Sequence, residues 1–198
     1  MREISVRIRF RGIRAAQPSY EVRKEDYRMM LYEKKVGDRV VRFPISPAQF
    51  KGALRQVACL VVKREPKLAE AYESLFGSDV ASRCLKGSGK VAPPSSREGK
   101  LSFEIVSSDL DDDLDSRIEL RPRIRINRRL GAVEREALLF SQAISSRFEV
   151  TFKISAEELA EEEEDLLRKS LNALRGWGVC GWTSIGYGIV EEVSFNGI

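Results

Sequence analysis

The chain has 198 residues, of which 42% are hydrophobic and 32% are charged, a balance typical of a folded, well-solvated protein rather than a disordered one. It contains no histidine, which excludes serine–histidine and cysteine–histidine nucleophile pairs and removes the commonest neutral-pH base. The net charge of +4 hides a basic first third and a basic stretch at 117–129, which together favour a polyanionic partner such as nucleic acid.

The first half of the chain reads as a strand, a hairpin and two helices. Alternating aliphatic residues at 4–10 predict a half-buried strand with a basic outer face, followed by a loop at 13–26. The runs 27–35 and 39–45, separated by a Gly-Asp turn, predict a hairpin. Ser46 and Pro47 predict the start of a helix that ends at Pro66, and a shorter helix follows and stops at Gly77.

The second half predicts more strands and one further helix. Residues 78–99 are the least ordered on composition, and 100–109 reads as a strand. Further strands are expected at 117–129, 136–145 and 147–155. Ser155, with Glu158 three residues later, predicts a capping box for a helix that ends at Gly176, before a last strand around 188–195. This order is compatible with an α+β, ferredoxin-like fold.

Two groups of basic residues are candidate phosphate ligands. Lys51 and Arg55 share a helix face, and Gly52 between them costs about 1 kcal/mol against alanine, so either something approaches the backbone there or the helix starts late. In the strand at 117–129, alternation places several arginines on one face with few acids nearby, which favours phosphate binding over a charged, solvated edge. These arginines are Arg121, Arg123 and Arg125, with Arg128 close by.

The stretch GWTSIGYGIV at 181–190 combines three glycines with hydroxyl and aromatic side chains. Its backbone N–H groups could bind phosphate, and Tyr187 or Trp182 could stack on a base. A bulged turn with core aromatic residues accounts for the same spacing equally well.

Metal and thiol chemistry have weaker signals. Any metal would be a hard cation held by carboxylates, but the acidic run at 111–115 is more typical of a solvated turn, and Asp26 stands almost alone in its loop. Cys59, Cys84 and Cys180 are odd in number and have no paired spacing, which argues against a disulfide framework. The sequence has no signal peptide and no bilayer-spanning run, so we expect a cytoplasmic protein without a membrane partner.

Four stretches in order resemble the RAMP superfamily of CRISPR proteins, and most closely the small backbone subunits of type III effector complexes. They are FPISPAQFKGALR (43–55), LFGS (75–78) with GKLSFEIVSSD (99–109), RIRINRRLGAVEREALLFSQAISSRFEVTFKI (123–154) and GWTSIGYGIV (181–190). One departure is Ser46-Pro47-Ala48-Gln49, where the family usually has Pro-Gly-Ser-Ser.

The resemblance implies a single RRM-like domain over residues 1–198, with insertions at about 13–45, 78–99 and 117–150, the last forming a hairpin thumb. It implies binding to the backbone of CRISPR RNA, contact with target RNA and other effector subunits, and possible head-to-tail self-assembly in antiviral defence. By position, the RNA-binding residues would be Lys51, Gly52, Arg55, Arg121, Arg123, Arg125, Arg128, Gly181, Thr183, Ser184, Gly186, Tyr187 and Gly188.

Two enzymatic alternatives remain open at this point. Slicing members of the family cut target RNA with a metal ion and a loop aspartate, for which Asp26 is the nearest match, so Mg²⁺ is expected only if the chain cleaves RNA. Other RAMP proteins are metal-independent ribonucleases that mature the guide RNA, often with histidine. Since histidine is absent, Tyr20, Lys24 or Tyr27 would have to serve.

Overall fold

In chain order, the strands are β1 (Arg2–Ile13), β2 (Tyr32–Val36), β3 (Arg39–Phe43), β4 (Ser102–Ser108), β5 (Ile118–Arg123), β6 (Ile126–Asn127), β7 (Ala132–Val133), β8 (Leu139–Ala156) and β9 (Ile189–Asn196). The helices are α1 (Pro47–Arg64), α2 (Ala69–Phe76), α3 (Ser78–Leu85), α4 (Leu114–Arg117) and α5 (Glu161–Ala173), with a 3-10 turn at Pro66–Leu68. The structure, a computed structural model, describes residues 1–14, 31–85, 97–110, 113–123, 126–127, 129, 131–133, 139–180, 183 and 186–198.

The main sheet is antiparallel and has the strand order β4–β8–β1–β9. Because α1 follows β1 and α5 follows β8, this order is that of a ferredoxin-like fold, and the predicted α+β class is confirmed. The alternation in β1 works as predicted: Ile4, Val6, Ile8 and Phe10 are fully buried, and the residues between them face solvent.

The helices α1 and α5 cover one face of the sheet with their apolar stripes. Phe50 stacks on Phe152 of β8 with ring centroids 4.3 Å apart, and Leu166 and Leu171 of α5 are fully buried in the same core. Ser46 caps α1 as predicted. Its Oγ accepts a hydrogen bond from the N–H of Gln49 at 3.2 Å, and the Gln49 side chain accepts one from the N–H of Ser46 at 2.8 Å.

The opposite face of the sheet is open, and its charges are paired. Arg9 of β1 lies 2.7 Å from the Glu192 carboxylate, and Glu191 accepts hydrogen bonds from Arg11 and Arg147 at 2.7 and 2.8 Å. These two bonds lower the pKa of Glu191. The expected basic outer face of β1 is therefore largely neutralised by neighbouring strands.

Two predicted strands prove to be one. The runs 136–145 and 147–155 lie in the continuous strand β8, in which Ile144 pairs with Ile13 of β1 on one side and with Ile118 of β5 on the other. The pairing with β5 covers residues 139–144 of β8, whereas β1 pairs with β8 on both sides of Ser145 and Ser146, with a register shift between Arg11 and Ile13. The strand therefore continues through the two serines because β1 bridges them.

The start of α5 was also predicted wrongly. Ser155 does not cap a helix, because β8 continues to Ala156, which pairs with Arg2. The helix begins six residues later, at Glu161. Its first turn is closed by the Glu163 carboxylate, which accepts the N–H of Ala160 at 2.9 Å.

Two further expectations need correction. The stretch 78–99, expected to be the least ordered, contains the helix α3, while residues 86–96 lie outside the described residues.

Cys59 of α1 and Cys84 of α3 form a disulfide with their Cα atoms 5.8 Å apart. The sequence argument against a disulfide fails because the fold brings together two cysteines 25 positions apart. None of the helices described is long and apolar enough to cross a membrane.

Candidate nucleic-acid interface

An open groove of about 830 Å³ lies between the first half of α1, the junction of α2 and α3, and the segment 97–103. Lys51, Arg55 and Arg97 line it, and Glu98 is the one carboxylate among the described lining residues. None of these three cations forms an ion pair with a carboxylate that the structure describes. The groove therefore concentrates uncompensated positive charge in a concave surface.

Lys51 is held against the groove wall by neutral contacts. Its Nζ donates to the carbonyl oxygen of Leu101 at 3.3 Å and lies 5.6 Å from the ring centroid of Phe103. The Phe103 ring in turn packs edge-on against Phe50, at 5.7 Å between centroids. Core packing thus fixes the position of the ammonium group without neutralising its charge.

Arg55 lies one helical turn after Lys51, as the spacing of four residues predicted. Its carbonyl oxygen accepts a hydrogen bond from the Tyr72 hydroxyl at 3.4 Å, which ties α1 to α2. Burial raises the pKa of Tyr72 to about 12, so this hydroxyl stays a donor at any physiological pH.

Arg97 is the groove residue that sequence reasoning missed. Its backbone N–H donates to the Ser78 Oγ at 2.9 Å, and its carbonyl oxygen accepts the N–H of Ser78 at 3.1 Å. This reciprocal pairing holds the segment at 97–99 beside the start of α3. No local signal marks Arg97, because it comes to the groove only through a contact between residues 19 positions apart.

Gly52 lies within α1, which starts at Pro47 and not late. A Cβ atom added at Gly52 would meet no atom of the described residues within 4 Å. No part of the described chain therefore explains the glycine, so the expected close approach would have to come from a ligand.

The described part of the glycine-rich stretch is tied into the fold. The N–H of Gly188 donates to the carbonyl oxygen of Gly12 at 2.9 Å, and the N–H of Gly186 donates to that of Thr183 at 3.1 Å. Gly188 is buried with φ +66°, and a Cβ there would overlap the carbonyl oxygen of Val179. The Gly186 amide therefore closes the turn before β9, and the Gly188 amide ties that turn to β1. Tyr187 is half-buried beside them.

The structure does not bring this stretch to the groove. Thr183, Gly186, Tyr187 and Gly188 are not among the groove-lining residues that are described, and the Thr183 side chain packs against Gly178 instead. Gly181 and Ser184 lie outside the described residues.

The arginine strand is only partly described. Arg121 lies on β5, 2.5 Å from the Glu119 carboxylate, and its guanidinium also donates to the Ser145 hydroxyl at 2.8 Å. The expectation that acids are scarce on this face is therefore wrong for Arg121. Arg123 ends β5, and Arg125 and Arg128 lie outside the described residues.

Two apolar residues of the segment 117–129 are exposed in the structure. Leu120 is 60% exposed and Ile126 is 53% exposed, although both belong to the apolar alternation of the sequence.

The structure does not bear on the proposed metal chemistry. Within the described ranges, no three carboxylate or thiol side chains come together as metal ligands. Asp26, together with Tyr20, Lys24 and Tyr27, lies outside these ranges, as do the acidic residues at 111–112.

The comparisons with known proteins agree with this fold. A sequence model of the RAMP superfamily matches residues 33–191. No curated protein matches the sequence. Among solved structures, a chain of a Type IV-B CRISPR complex is similar at a TM-score of 0.60 and 12% identity, over 99% of this chain and 90% of that one. At this identity the likeness concerns the fold.

Proposed function

Because the chain belongs to the RAMP superfamily, we propose that it is an RNA-binding subunit of a CRISPR effector complex and that its groove binds guide RNA phosphates. The observation that carries the proposal is the convergence of Lys51, Arg55 and Arg97 on one concave surface without described ion-pair partners. The similarity to a chain of a Type IV-B CRISPR complex supports the setting.

The groove has the chemistry of a backbone site rather than of a sequence-reading site. Lysine and arginine bind phosphate through charge and charge-assisted hydrogen bonds, which carry no base information. Gly52 leaves the surface of α1 without a side chain between Lys51 and Arg55, so a strand of RNA can lie against the helix there. Binding should therefore depend strongly on salt and little on sequence.

The finer assignment is a guide-binding backbone subunit of a type III complex, which also contacts target RNA and the neighbouring subunits. It is supported by the four motif stretches in family order, and head-to-tail self-assembly along the guide follows from the same resemblance. Co-purification of the chain with its genomic neighbours tests it, since a type III complex contains a large polymerase-like subunit. Recovery with subunits of another type would reassign it.

Target cleavage remains a second prediction, in which Asp26 would hold Mg²⁺ or position the attacking hydroxyl. The assembled complex with target RNA and Mg²⁺ tests it. Loss of cleavage in Asp26→Ala at unchanged RNA binding would support the role, and full cleavage by that variant would remove Asp26 from the mechanism.

The binding proposal is tested with labelled single-stranded RNA and the double variant Lys51→Ala/Arg55→Ala. The matched control is Lys63→Ala/Arg64→Ala, which removes two exposed cations from the last turn of the same helix. Loss of two charge-assisted contacts should weaken binding by about 10-fold or more. The control should bind as the natural protein does. Equal affinity of the three proteins would contradict the assignment of the groove.

A further inference from the structure

A second cavity adjoins the groove. It has a volume of about 390 Å³ and lies between the middle of α1, the end of α3 and the segment that follows α5. Its walls include Cys59, Leu60, Cys84 and Trp177. This size falls within the range of small-ligand sites.

The cavity and the groove form one continuous surface, because Arg55 and Val80 line both of them. A polymer bound along the groove therefore passes the mouth of the cavity. Arg55 stands at the junction, where its guanidinium can contact a phosphate of a strand whose next base turns inward.

The cavity lining combines apolar, aromatic and hydrogen-bonding groups. Trp177 is half-buried, and its backbone is fixed between α5 and β9, since its N–H donates to the carbonyl oxygen of Leu174 at 2.8 Å and its carbonyl oxygen accepts the N–H of Val190 at 2.9 Å. Leu60 is 43% exposed at the rim. Gln56 is exposed on α1 and offers both an amide donor and a carbonyl acceptor.

The charge of the cavity favours a ligand attached to an anion. Arg55 and Arg83 line it, and no carboxylate is among its described lining residues. An apolar ligand alone would not use two guanidinium groups. A planar heterocycle carried on a phosphate chain uses the apolar wall, the amide and the cations together.

We infer that this cavity is a nucleobase pocket that takes one base of the RNA strand whose phosphates lie in the groove. The base stacks on the Trp177 indole, and Gln56 contacts its edge. The disulfide between Cys59 and Cys84 joins α1 and α3, which both line the cavity, so it preorganises the pocket. This inference rests on the proposed function, because the groove must first bind RNA.

The test compares two polyanions, a single-stranded oligoadenylate and inorganic polyphosphate, which has no bases. Trp177→Leu removes the aromatic ring and keeps an apolar side chain, and Phe195→Leu, at a half-buried aromatic residue of β9, is the matched control. Loss of one base–aromatic stack should weaken oligoadenylate binding by about 5- to 150-fold. Polyphosphate binding should not change, and Phe195→Leu should change neither.

A second measurement works without altering the pocket. In a Trp182→Phe protein, Trp177 is the remaining tryptophan, so its fluorescence reports on the cavity. Oligoadenylate should quench this fluorescence and polyphosphate should not. This measurement decides the matter if Trp177→Leu lowers the melting temperature too far for binding assays.

The outcomes separate the pocket from the groove. Oligoadenylate binding without quenching of Trp177, or equal loss of both polyanions in Trp177→Leu, overturns the pocket and leaves the groove in place. A docked side chain of a partner protein would then be the better occupant. If the natural protein binds neither polyanion, the proposed function fails and the pocket assignment fails with it.

Discussion

Reduction of the disulfide between Cys59 and Cys84 should destabilise the protein measurably. The bond closes a loop with a sequence separation of 25 residues, and the chain-entropy relation assigns such a loop about 3.5 kcal/mol at 25 °C. For a chain of 198 residues this corresponds to a fall in melting temperature of about 7–14 °C. The loss should be felt first in α3, because that helix is tied to α1 by this bond.

The assay is thermal unfolding with and without a phosphine reductant, on the natural protein and on Cys59→Ser/Cys84→Ser. The melting temperature of the natural protein should fall when the disulfide is reduced. The double variant should have a low melting temperature from the start, and the reductant should not change it. Cys180→Ser is the matched control, because Cys180 is a free cysteine outside the bond and its variant should keep the full response to the reductant.

Thiol titration provides an independent check. The chain has three cysteines, so the oxidised protein should show one reactive thiol after unfolding in denaturant and three after reduction. In the folded protein the Cys180 thiol should react slowly, because burial raises its pKa to about 12. Three reactive thiols without reductant, or a melting temperature that the reductant does not change, would contradict a stabilising disulfide between Cys59 and Cys84.

Two further predictions concern the fold. Gly188→Ala should lower the free energy of unfolding by about 3 kcal/mol or more, because the added Cβ would overlap the Val179 carbonyl oxygen at a positive φ. Gly52→Ala should instead raise the free energy of unfolding by about 0.5–1 kcal/mol, because alanine favours a helix more than glycine does. Chemical denaturation that changes the stability of both variants in the same direction would contradict this. Burial alone would raise the pKa of Glu163, but hydrogen bonds from Lys100, Ser74 and the backbone of Ala160 outweigh it and lower that pKa below 4.5. The carboxylate therefore stabilises the fold fully above about pH 4.5, and this contribution is lost as the pH falls through its folded pKa. Glu163→Gln should destabilise the protein by about 1–2 kcal/mol at pH 7 and flatten the acid limb of its stability curve, while Glu162→Gln, an exposed glutamate of the same turn, should do neither.

The parts of the fold that the sequence predicts are those that local physics decides. The strand β1 follows from strict alternation of aliphatic and polar residues, and the start of α1 follows from Ser46 and Pro47 at capping positions. The capping box also explains one departure from the family pattern, since Gln49 closes it. Lys51 and Arg55 could be placed on one face because a helix repeats every 3.6 residues.

The parts that the sequence misses depend on contacts between distant segments. Arg97 reaches the groove only because it pairs with Ser78, and Cys84 reaches Cys59 only because α3 packs beside α1. The hydrophobic pattern of β8 breaks at two serines, yet β1 pairs with β8 on both sides of them, so the strand continues. Ser155 has the local pattern of a helix cap, but its pairing with Glu3 keeps it in the sheet.

The sequence also could not predict which arginines are neutralised by nearby carboxylates in the folded protein. The outward arginines of β1 and Arg121 of β5 have carboxylate partners on neighbouring strands or two positions away. Lys51 and Arg55 have none among the described residues. A count of basic residues in the sequence therefore overestimates the uncompensated positive charge of the sheet and underestimates that of the groove.

The salt dependence of RNA binding tests most directly whether RNA phosphates lie in the groove. The logarithm of the association constant for single-stranded RNA falls linearly with the logarithm of the salt concentration. Each phosphate contact that a variant loses should make this slope less steep by about 0.7. Lys51→Ala, Arg55→Ala and Arg97→Ala should each reduce the slope by about this amount, and Lys63→Ala should leave it unchanged. If the three groove variants keep the slope of the natural protein, RNA phosphates do not lie in the groove.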